Sequence, residues 1–266
     1  MLTVLTSGKA APGVSTSAWA LALSWPGPVL LVDCDPAGGD LAAGLLAGRV
    51  GGGRGLLSWS SAARRGVPAL AAAGLFAEHA VSVPERPDVW LLSGFGNAAQ
   101  AQSLGSEGWQ RLGSALASTS AALGRDTVAD SGRLVGEGGC WPVLRSADAV
   151  LLTVRPSVRS VRAARDAAQQ LQAELGDLGK VTALVVGDGP YTAGEVSDAL
   201  QIPLAARFPT DRPSAATLSD GAPCRTKTLA RSALLRAAAA LARTLSGSTQ
   251  DEPVPTPPVN TATVSG

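Results

Sequence analysis

The chain has 266 residues, of which 45% are apolar and 16% charged, and its formal net charge is +1. This length allows one α/β domain with a well-buried sheet, and the near-zero charge excludes a strong overall attraction to nucleic acid or to a membrane surface. The three cysteines are scattered and show no C-x-x-C spacing, which indicates reduced thiols rather than a disulfide scaffold or a zinc site. No apolar run approaches the ~18 residues of a membrane span, so we expect a cytoplasmic protein without membrane insertion.

The chain begins with a pattern of strand, loop and helix. Apolar residues 2–6 predict a strand, and an alanine-rich helix is expected over residues 15–24. Between them, residues 7–16 read S-G-K-A-A-P-G-V-S-T. A tight loop that joins a strand to a helix N-terminus presents backbone N–H groups to a phosphate. The sequence therefore predicts a phosphate-binding loop.

This loop is close to the phosphate-binding pattern G-x-x-x-x-G-K-[ST]. Gly8 and Gly13 have the separation of its two glycines, and Ser15 stands where a Mg²⁺-binding hydroxyl belongs. Val14 occupies the position of the lysine that reaches the β- and γ-phosphates, and Lys9 stands instead just after the first glycine. The pattern indicates a triphosphate site that lacks one of its usual cations.

Carboxylates follow two other predicted strands. The strand over residues 28–33 ends in Asp33-Cys34-Asp35-Pro36, and the strand over 126–130 ends in Asp130. Ligands of parallel sheets bind at the carboxyl ends of the strands, and acids there can hold Mg²⁺ and an attacking water. For Asp33 or Asp35 taken alone, a helix cap or a turn carboxylate is the alternative interpretation.

The rest of the chain continues the alternation of strands and helices. Strands are expected over residues 88–92, 148–154, 181–186 and 202–206, and helices over 105–122, 158–175, 192–200 and 228–245. Near-continuous apolar strands separated by helices predict an α/β fold with a mostly parallel central sheet and helices on both faces. Together with the phosphate-loop pattern of residues 7–16, this resembles a P-loop NTPase-like three-layer sandwich. A glycine-rich loop is expected over 44–55. We expect one nucleotide-binding domain over 1–246 and a disordered Pro/Thr/Ser-rich tail over 247–266.

Four segments, in chain order, resemble motifs of the ParA/MinD family of SIMIBI-class P-loop ATPases. The family's loop reads K-G-G-x-G-K-[ST]-[ST], so Lys9 matches its early lysine and Gly13 its late glycine. Residues 31–36 resemble its D-x-D-P strand end, residues 126–131 its magnesium-site strand, and residues 146–156 the next strand and helix start. The form without the second lysine resembles a divergent actinobacterial-type branch near the CpaE/TadZ pilus-positioning ATPases.

The resemblance implies binding of ATP with Mg²⁺. The residues expected to bind the nucleotide are Gly8, Lys9, Ala10, Ala11, Gly13, Val14, Ser15 and Thr16. The expected Mg²⁺ ligands are Ser15, Asp130 and, through water, Asp33.

Two catalytic roles are also implied by the resemblance. Lys9 would act on the phosphates from its own chain or across a nucleotide-sandwich dimer, and Asp35 would orient the attacking water. Because Val14 removes a charge and Pro12 removes a backbone N–H, we expect weak ATP binding and slow or absent hydrolysis.

Two classes of function remain open at this point. One is a nucleotide-switched positioning ATPase, a homodimer with ATP, that serves chromosome or plasmid partitioning or places a pilus or secretion machine through protein partners. The other is a non-hydrolysing pseudo-ATPase scaffold that recruits partners. A metabolic ligase-like enzyme of the same class is a third alternative, for which no substrate motif is found.

The stretch from residue 221 to 250 contains basic residues and no acid. Such a face is either simply solvated or a surface for non-specific DNA contact. The residues concerned are Arg225, Lys227, Arg231, Arg236 and Arg243.

Overall fold

The computed structural model describes residues 1–9, 13–47, 53–84, 86–134, 139–176 and 179–248. Its strands are β1 (Leu2–Ser7), β2 (Val29–Asp33), β3 (Val81–Val83), β4 (Arg86–Leu92), β5 (Asp126–Arg133), β6 (Ala149–Val154), β7 (Val181–Val186) and β8 (Leu204–Phe208). They form an eight-stranded sheet in the order β3-β4-β2-β5-β1-β6-β7-β8. Neighbouring strands are parallel except β3 and β4, which pair antiparallel at one edge.

Helices connect the strands. They are α1 (Val14–Leu23), α2 (Leu56–Ala62), α3 (Ala69–Gly74), α4 (Phe76–His79), α5 (Ala98–Ser103), α6 (Gly105–Ala117), α7 (Thr119–Leu123), α8 (Trp141–Ser146), α9 (Val158–Leu175), α10 (Ala193–Leu200), α11 (Arg212–Asp220), α12 (Thr226–Ala230) and α13 (Ala233–Ser248).

The predicted fold class is confirmed, and so are the seven predicted strands, whose ends shift by at most three residues. The edge strand β3 and the helices α2–α5, α8 and α11 were not predicted. These helices have only four to nine residues, too few for a clear helical period in the sequence. Two predicted helices are each divided, 105–122 into α6 and α7 and 228–245 into α12 and α13.

Both faces of the sheet are covered by helices. Along β1, Val4 belongs to the apolar cluster on one face and Leu5 to the cluster on the other, and Leu30 and Leu31 alternate in the same way along β2. Successive strand residues point to opposite faces, so two buried faces require an almost continuous apolar run. Helices α1 and α13 pack on one face, and α6, α8 and α9 on the other.

Two predicted segments are described only in part. Residues 44–47 of the glycine-rich region form turns, and residues 48–52 lie outside the described residues. Helix α13 runs to Ser248, and residues 249–266 lie outside the described residues, so the predicted tail stays a prediction.

Gly8 lies where the start of the predicted loop touches α9. A Cβ added at Gly8 would collide with the backbone carbonyl oxygen of Ala163, a group that cannot turn away as a side chain can. Gly8 therefore lies against the N-terminal half of α9 in a close backbone approach that only glycine permits.

We predict that Gly8→Ala lowers the free energy of unfolding by about 1–3 kcal/mol, because α9 must shift to admit the methyl group. The matched control is Gly27→Ala, where nothing lies within 4 Å of the added Cβ. Urea unfolding of both variants and the wild type measures the difference. Equal stabilities of the two variants would contradict the packing described.

Candidate functional site

The carboxyl ends of three adjacent strands, β2, β5 and β1, meet at the centre of one sheet edge. Asp33 on β2 lies opposite Asp130 on β5, and Leu5 on β1 lies opposite Asp130 on the other side. Both aspartates are 1% exposed. Parallel pairing in this register thus places two buried carboxylates side by side.

Helix α1 brings a hydroxyl to these carboxylates. Its N-cap, Gly13, has a left-handed backbone (φ 76°), and no side chain caps the first N–H groups. Two residues later, the Ser15 hydroxyl lies close enough to the Asp130 carboxylate to lower its pKa. The structure therefore brings Ser15, Asp33 and Asp130, the three predicted Mg²⁺ ligands, to one place.

The Asp33 carboxylate is enclosed by backbone. Its Oδ2 accepts a hydrogen bond from the Leu41 N–H at 3.1 Å, and its Oδ1 accepts one from the Asp35 N–H at 3.4 Å. A Cβ at Gly39 would collide with this carboxylate, and one at Gly94 would lie 2.8 Å from its Cγ. Glycine at these two positions leaves the space that the carboxylate fills.

Asp35 approaches the same edge from the turn after β2. Its Oδ1 accepts a hydrogen bond from the Ala37 N–H at 2.7 Å. Its other carboxylate oxygen lies against Gly132. Only glycine suits this position, because its φ is 62° and an added Cβ would collide with the Asp35 carboxylate. The Gly132 N–H in turn donates to Asp130 Oδ1 at 2.8 Å. Asp35 thus lies beside the end of β5, close to the other two acids.

Burial raises the pKa of all three carboxyl groups. The pKa of Asp130 is raised to about 7 by burial, against the lowering effect of hydrogen bonds from Ser15 and Gly132. The pKa of Asp33 is raised well above its usual range by burial and by the charge of Asp130. Burial also raises the pKa of Asp35. A bound cation would offset the cost of ionising these groups.

The donor set fits Mg²⁺. Within the described part of the chain, no three or more His, Cys, Asp or Glu side chains form a metal-binding cluster. Mg²⁺ in nucleotide sites is held by one or two carboxylates together with phosphate and water oxygens. A serine hydroxyl beside two carboxylates is sufficient for such a site.

A cavity of about 390 Å³ opens beside the N-terminus of α1. Gly13, Thr16 and Ser17 line one side of it. The residues that follow β6, β7 and β8 line the rest; they include Arg155, Gly187, Asp188, Thr210, Asp211 and Arg212. Its volume lies within the range of small-molecule pockets.

Sequence reasoning missed most of this cavity. The residues after β7 and β8 follow no motif that we recognised, although their position at the carboxyl ends of parallel strands was a usable signal. Thr16, by contrast, is a predicted nucleotide-binding residue that does line the cavity.

The remaining predicted loop residues differ in their placement. The Val14 side chain is 1% exposed and belongs to the apolar cluster under α1, so that only the backbone N–H of Val14 could contact a phosphate. Lys9 is exposed, and it is not among the residues that line the cavity. Ala10 and Ala11, with Pro12, lie outside the described residues.

The basic stretch lies on α12, α13 and the residues beside them. All five of its predicted DNA-contact side chains are exposed: Arg225, Lys227, Arg231, Arg236 and Arg243. On the opposite side of α13, Leu234 and Leu241 are buried. Of the helices in the described residues, none is both long and apolar enough to cross a membrane.

No protein-family model matches the chain, and no curated protein matches it either. Solved structures do match. The septum site-determining protein MinD complexed with Mg-ADP from Pyrococcus horikoshii has a TM-score of 0.70 and 18% identity, over 93% of this chain and 96% of that one. The MinC:MinD cell division protein complex from Aquifex aeolicus has a TM-score of 0.69 and 19% identity, over 96% of this chain and 98% of that one. A ParA family ATPase from Chlorobium tepidum has a TM-score of 0.67 and 17% identity, over 91% of this chain and 98% of that one. The chain therefore has the fold of MinD and ParA-family ATPases.

The raised pKa of Asp130 makes stability depend on pH. In the unfolded chain this carboxyl titrates near 4, whereas in the folded protein its pKa is about 7. Between these values the folded state binds more protons, so the free energy of unfolding falls as pH rises from 4 to 7. We predict that Asp130→Asn removes this loss and stabilises the protein at pH 8 relative to wild type, by up to a few kcal/mol.

Urea unfolding at pH 5 and pH 8, in buffer with a chelator, measures this effect. The control is Asp166→Asn, an exposed carboxylate on α9, which should leave the difference between the two pH values unchanged. The account is wrong if Asp130→Asn and wild type lose equal stability between pH 5 and pH 8.

Proposed function

We propose that this chain is a ParA/MinD-family protein that binds ATP with Mg²⁺ at the site just described and uses the nucleotide as a dimerisation switch. The observation that supports it most directly is the pairing of the buried Asp33 and Asp130 carboxylates beside Ser15. It places a hydroxyl at a helix N-terminus next to a buried acidic pair. That combination suits a metal-bound phosphate and is hard to explain as packing alone, since burying two carboxylates is costly.

The roles of the residues follow from their positions. The uncapped N–H groups at the start of α1 would bind phosphate oxygens. Ser15 and Asp130 would coordinate Mg²⁺ directly, and Asp33 would act through water. Mg²⁺ would neutralise charge on the phosphates. Asp35, in the turn beside Asp130, would orient the attacking water. The cavity beyond Gly13 and Thr16 would hold the nucleoside.

The biological role is proposed at a coarser level. MinD and ParA-family structures share this fold, and one of them is a complex of MinD with MinC. By analogy, we propose a cytoplasmic protein that is a homodimer with nucleotide and positions DNA or a pilus or secretion machine through protein partners. Its relation to the CpaE/TadZ branch is part of this proposal. The exposed basic residues on α12 and α13 would supply any non-specific DNA contact.

A non-hydrolysing scaffold is the second candidate function. The burial of Val14 supports it, because the first residue of α1 then supplies no cation to the phosphates. Negative charge on the phosphates increases during hydrolysis, so a missing cation slows the reaction. Such a scaffold would still bind nucleotide at the same carboxylates. Tight ATP binding without turnover would distinguish it from a weak ATPase.

The proposed site is tested by titration calorimetry with ATP, in the presence of Mg²⁺ or of a chelator. Wild type should bind ATP more tightly with Mg²⁺, and Ser15→Ala should lose about tenfold or more of that affinity, since it removes a ligand and a charge-assisted hydrogen bond. Ser120→Ala, an exposed serine on α7, is the matched control. If Ser15→Ala binds Mg²⁺-ATP as tightly as wild type does, the metal site is refuted. If wild type does not bind ATP, the proposed function is refuted.

The dimer switch depends on Lys9. Because this side chain is exposed, Lys9→Ala should change the free energy of unfolding by less than about 0.5 kcal/mol. It should nevertheless weaken dimerisation that depends on a non-hydrolysable ATP analogue, since a charge between two subunits is desolvated when they close. Sedimentation velocity with and without the analogue, beside thermal melts, measures both effects. If wild type remains monomeric under every nucleotide condition, the scaffold function replaces the switch.

A further inference from the structure

The cavity beside α1 is lined by two aspartates and two arginines, and its aspartates are already paired. Asp188 forms an ion pair with Arg207. Asp211 caps α11 by accepting a hydrogen bond from the Ser214 N–H at 3.3 Å, and it accepts a second from the Leu234 N–H at 3.3 Å. One aspartate of the cavity wall is therefore ion-paired and the other is hydrogen-bonded to backbone N–H groups.

The two arginines that line the cavity have no such partners. Arg155 and Arg212 are exposed, line the cavity, and have guanidinium groups that form no ion pair or hydrogen bond with any described residue. Together with Arg207, which pairs with Asp188, the three arginines exceed the two aspartates by one positive charge. Such a wall favours an anionic ligand.

Arg155 lies next to the loop that follows β1. Strand β6 pairs with β1, with Thr153 opposite Ser7, so Arg155 lies two residues beyond the last paired residue at the same edge. Helix α9, which begins three residues later, touches the loop through the close approach of Ala163 to Gly8. Arg155 therefore stands where the end of β1, the cavity and the N-terminus of α1 meet.

We infer that Arg155 supplies the phosphate-binding cation that is missing at Val14. This inference rests on the proposed nucleotide site and names the residue that completes its charge. A guanidinium presents two parallel N–H donors to phosphate oxygens, so it can replace an ammonium as a phosphate ligand from a different direction. Arg212, on the far side of the cavity, adds to the same field.

The test compares binding of Mg²⁺-ATP, Mg²⁺-ADP and adenosine to wild type and variants by titration calorimetry. Arg155→Ala should weaken ATP and ADP binding about 10- to 100-fold, the value of a charge-assisted hydrogen bond, while adenosine binding changes less than about twofold. Arg155→Lys should retain part of the affinity. Arg64→Ala, at an exposed arginine that follows α2 and does not line the cavity, is the matched control and should equal wild type.

A second variant separates charge from shape. Val14→Lys in the Arg155→Ala background restores a cation at the conventional position and should recover ATP affinity, with thermal melts showing whether both variants are folded. If Arg155→Ala binds ATP as tightly as Arg64→Ala does, or weakens adenosine binding as much as ATP binding, this inference is overturned while the nucleotide site stands. If wild type binds none of the three ligands, the proposed function itself fails.

Discussion

The site depends on the parallel pairing of β5 between β1 and β2. This register sets Asp33 on β2 opposite Asp130 on β5, and Leu5 on β1 opposite Asp130 on the other side. Ser15, near the start of α1, lies beside Asp130 at the same end of β5. Burying two neighbouring carboxylates is costly unless they are protonated, hydrogen-bonded or bound to a cation. The surrounding glycines, the Leu41 and Gly132 N–H groups and the Ser15 hydroxyl all accommodate these two side chains. The arrangement of the whole edge is therefore organised around one acidic pair.

Much of this edge could be predicted from the sequence. The strands are buried on both faces, so they appear as continuous apolar runs, and the residues that follow them necessarily lie at a sheet edge. That is why Ser15, Asp33 and Asp130 could be placed together from position alone. Their roles as ligands remain predictions, and Ala10 and Ala11 lie outside the described residues.

Other features could not be predicted, for physical reasons. Strand β3 has three residues and pairs only with β4, so it has too short a pattern to be recognised. The cavity wall comes from loops whose residues meet only when β6, β7 and β8 are ordered in the sheet. The pairing of Asp188 with Arg207, and hence the free charge of Arg155, depends on side-chain contacts that no local pattern encodes.

In the function that we propose, the burial of Val14 and the exposure of Arg155 belong together, because Arg155 would supply the cation that is absent from the start of α1. A helix N-terminus without its lysine can still attract phosphate through N–H groups and the helix dipole, but these contribute less than a full charge. A cation from the end of β6 would bind the same phosphates from the neighbouring strand. Nucleotide binding would then be retained, while the stabilisation of charge during hydrolysis would depend on a different geometry.

The most direct test of this account is a crystal structure of the protein with Mg²⁺ and a non-hydrolysable ATP analogue. We expect the phosphates at the N-terminus of α1, Mg²⁺ at about 2.1 Å from Ser15 Oγ, and the nucleoside in the cavity between α1 and the ends of β7 and β8. A nucleotide bound elsewhere on the molecule, or a Mg²⁺ ion that contacts neither Ser15 nor Asp130, would contradict it.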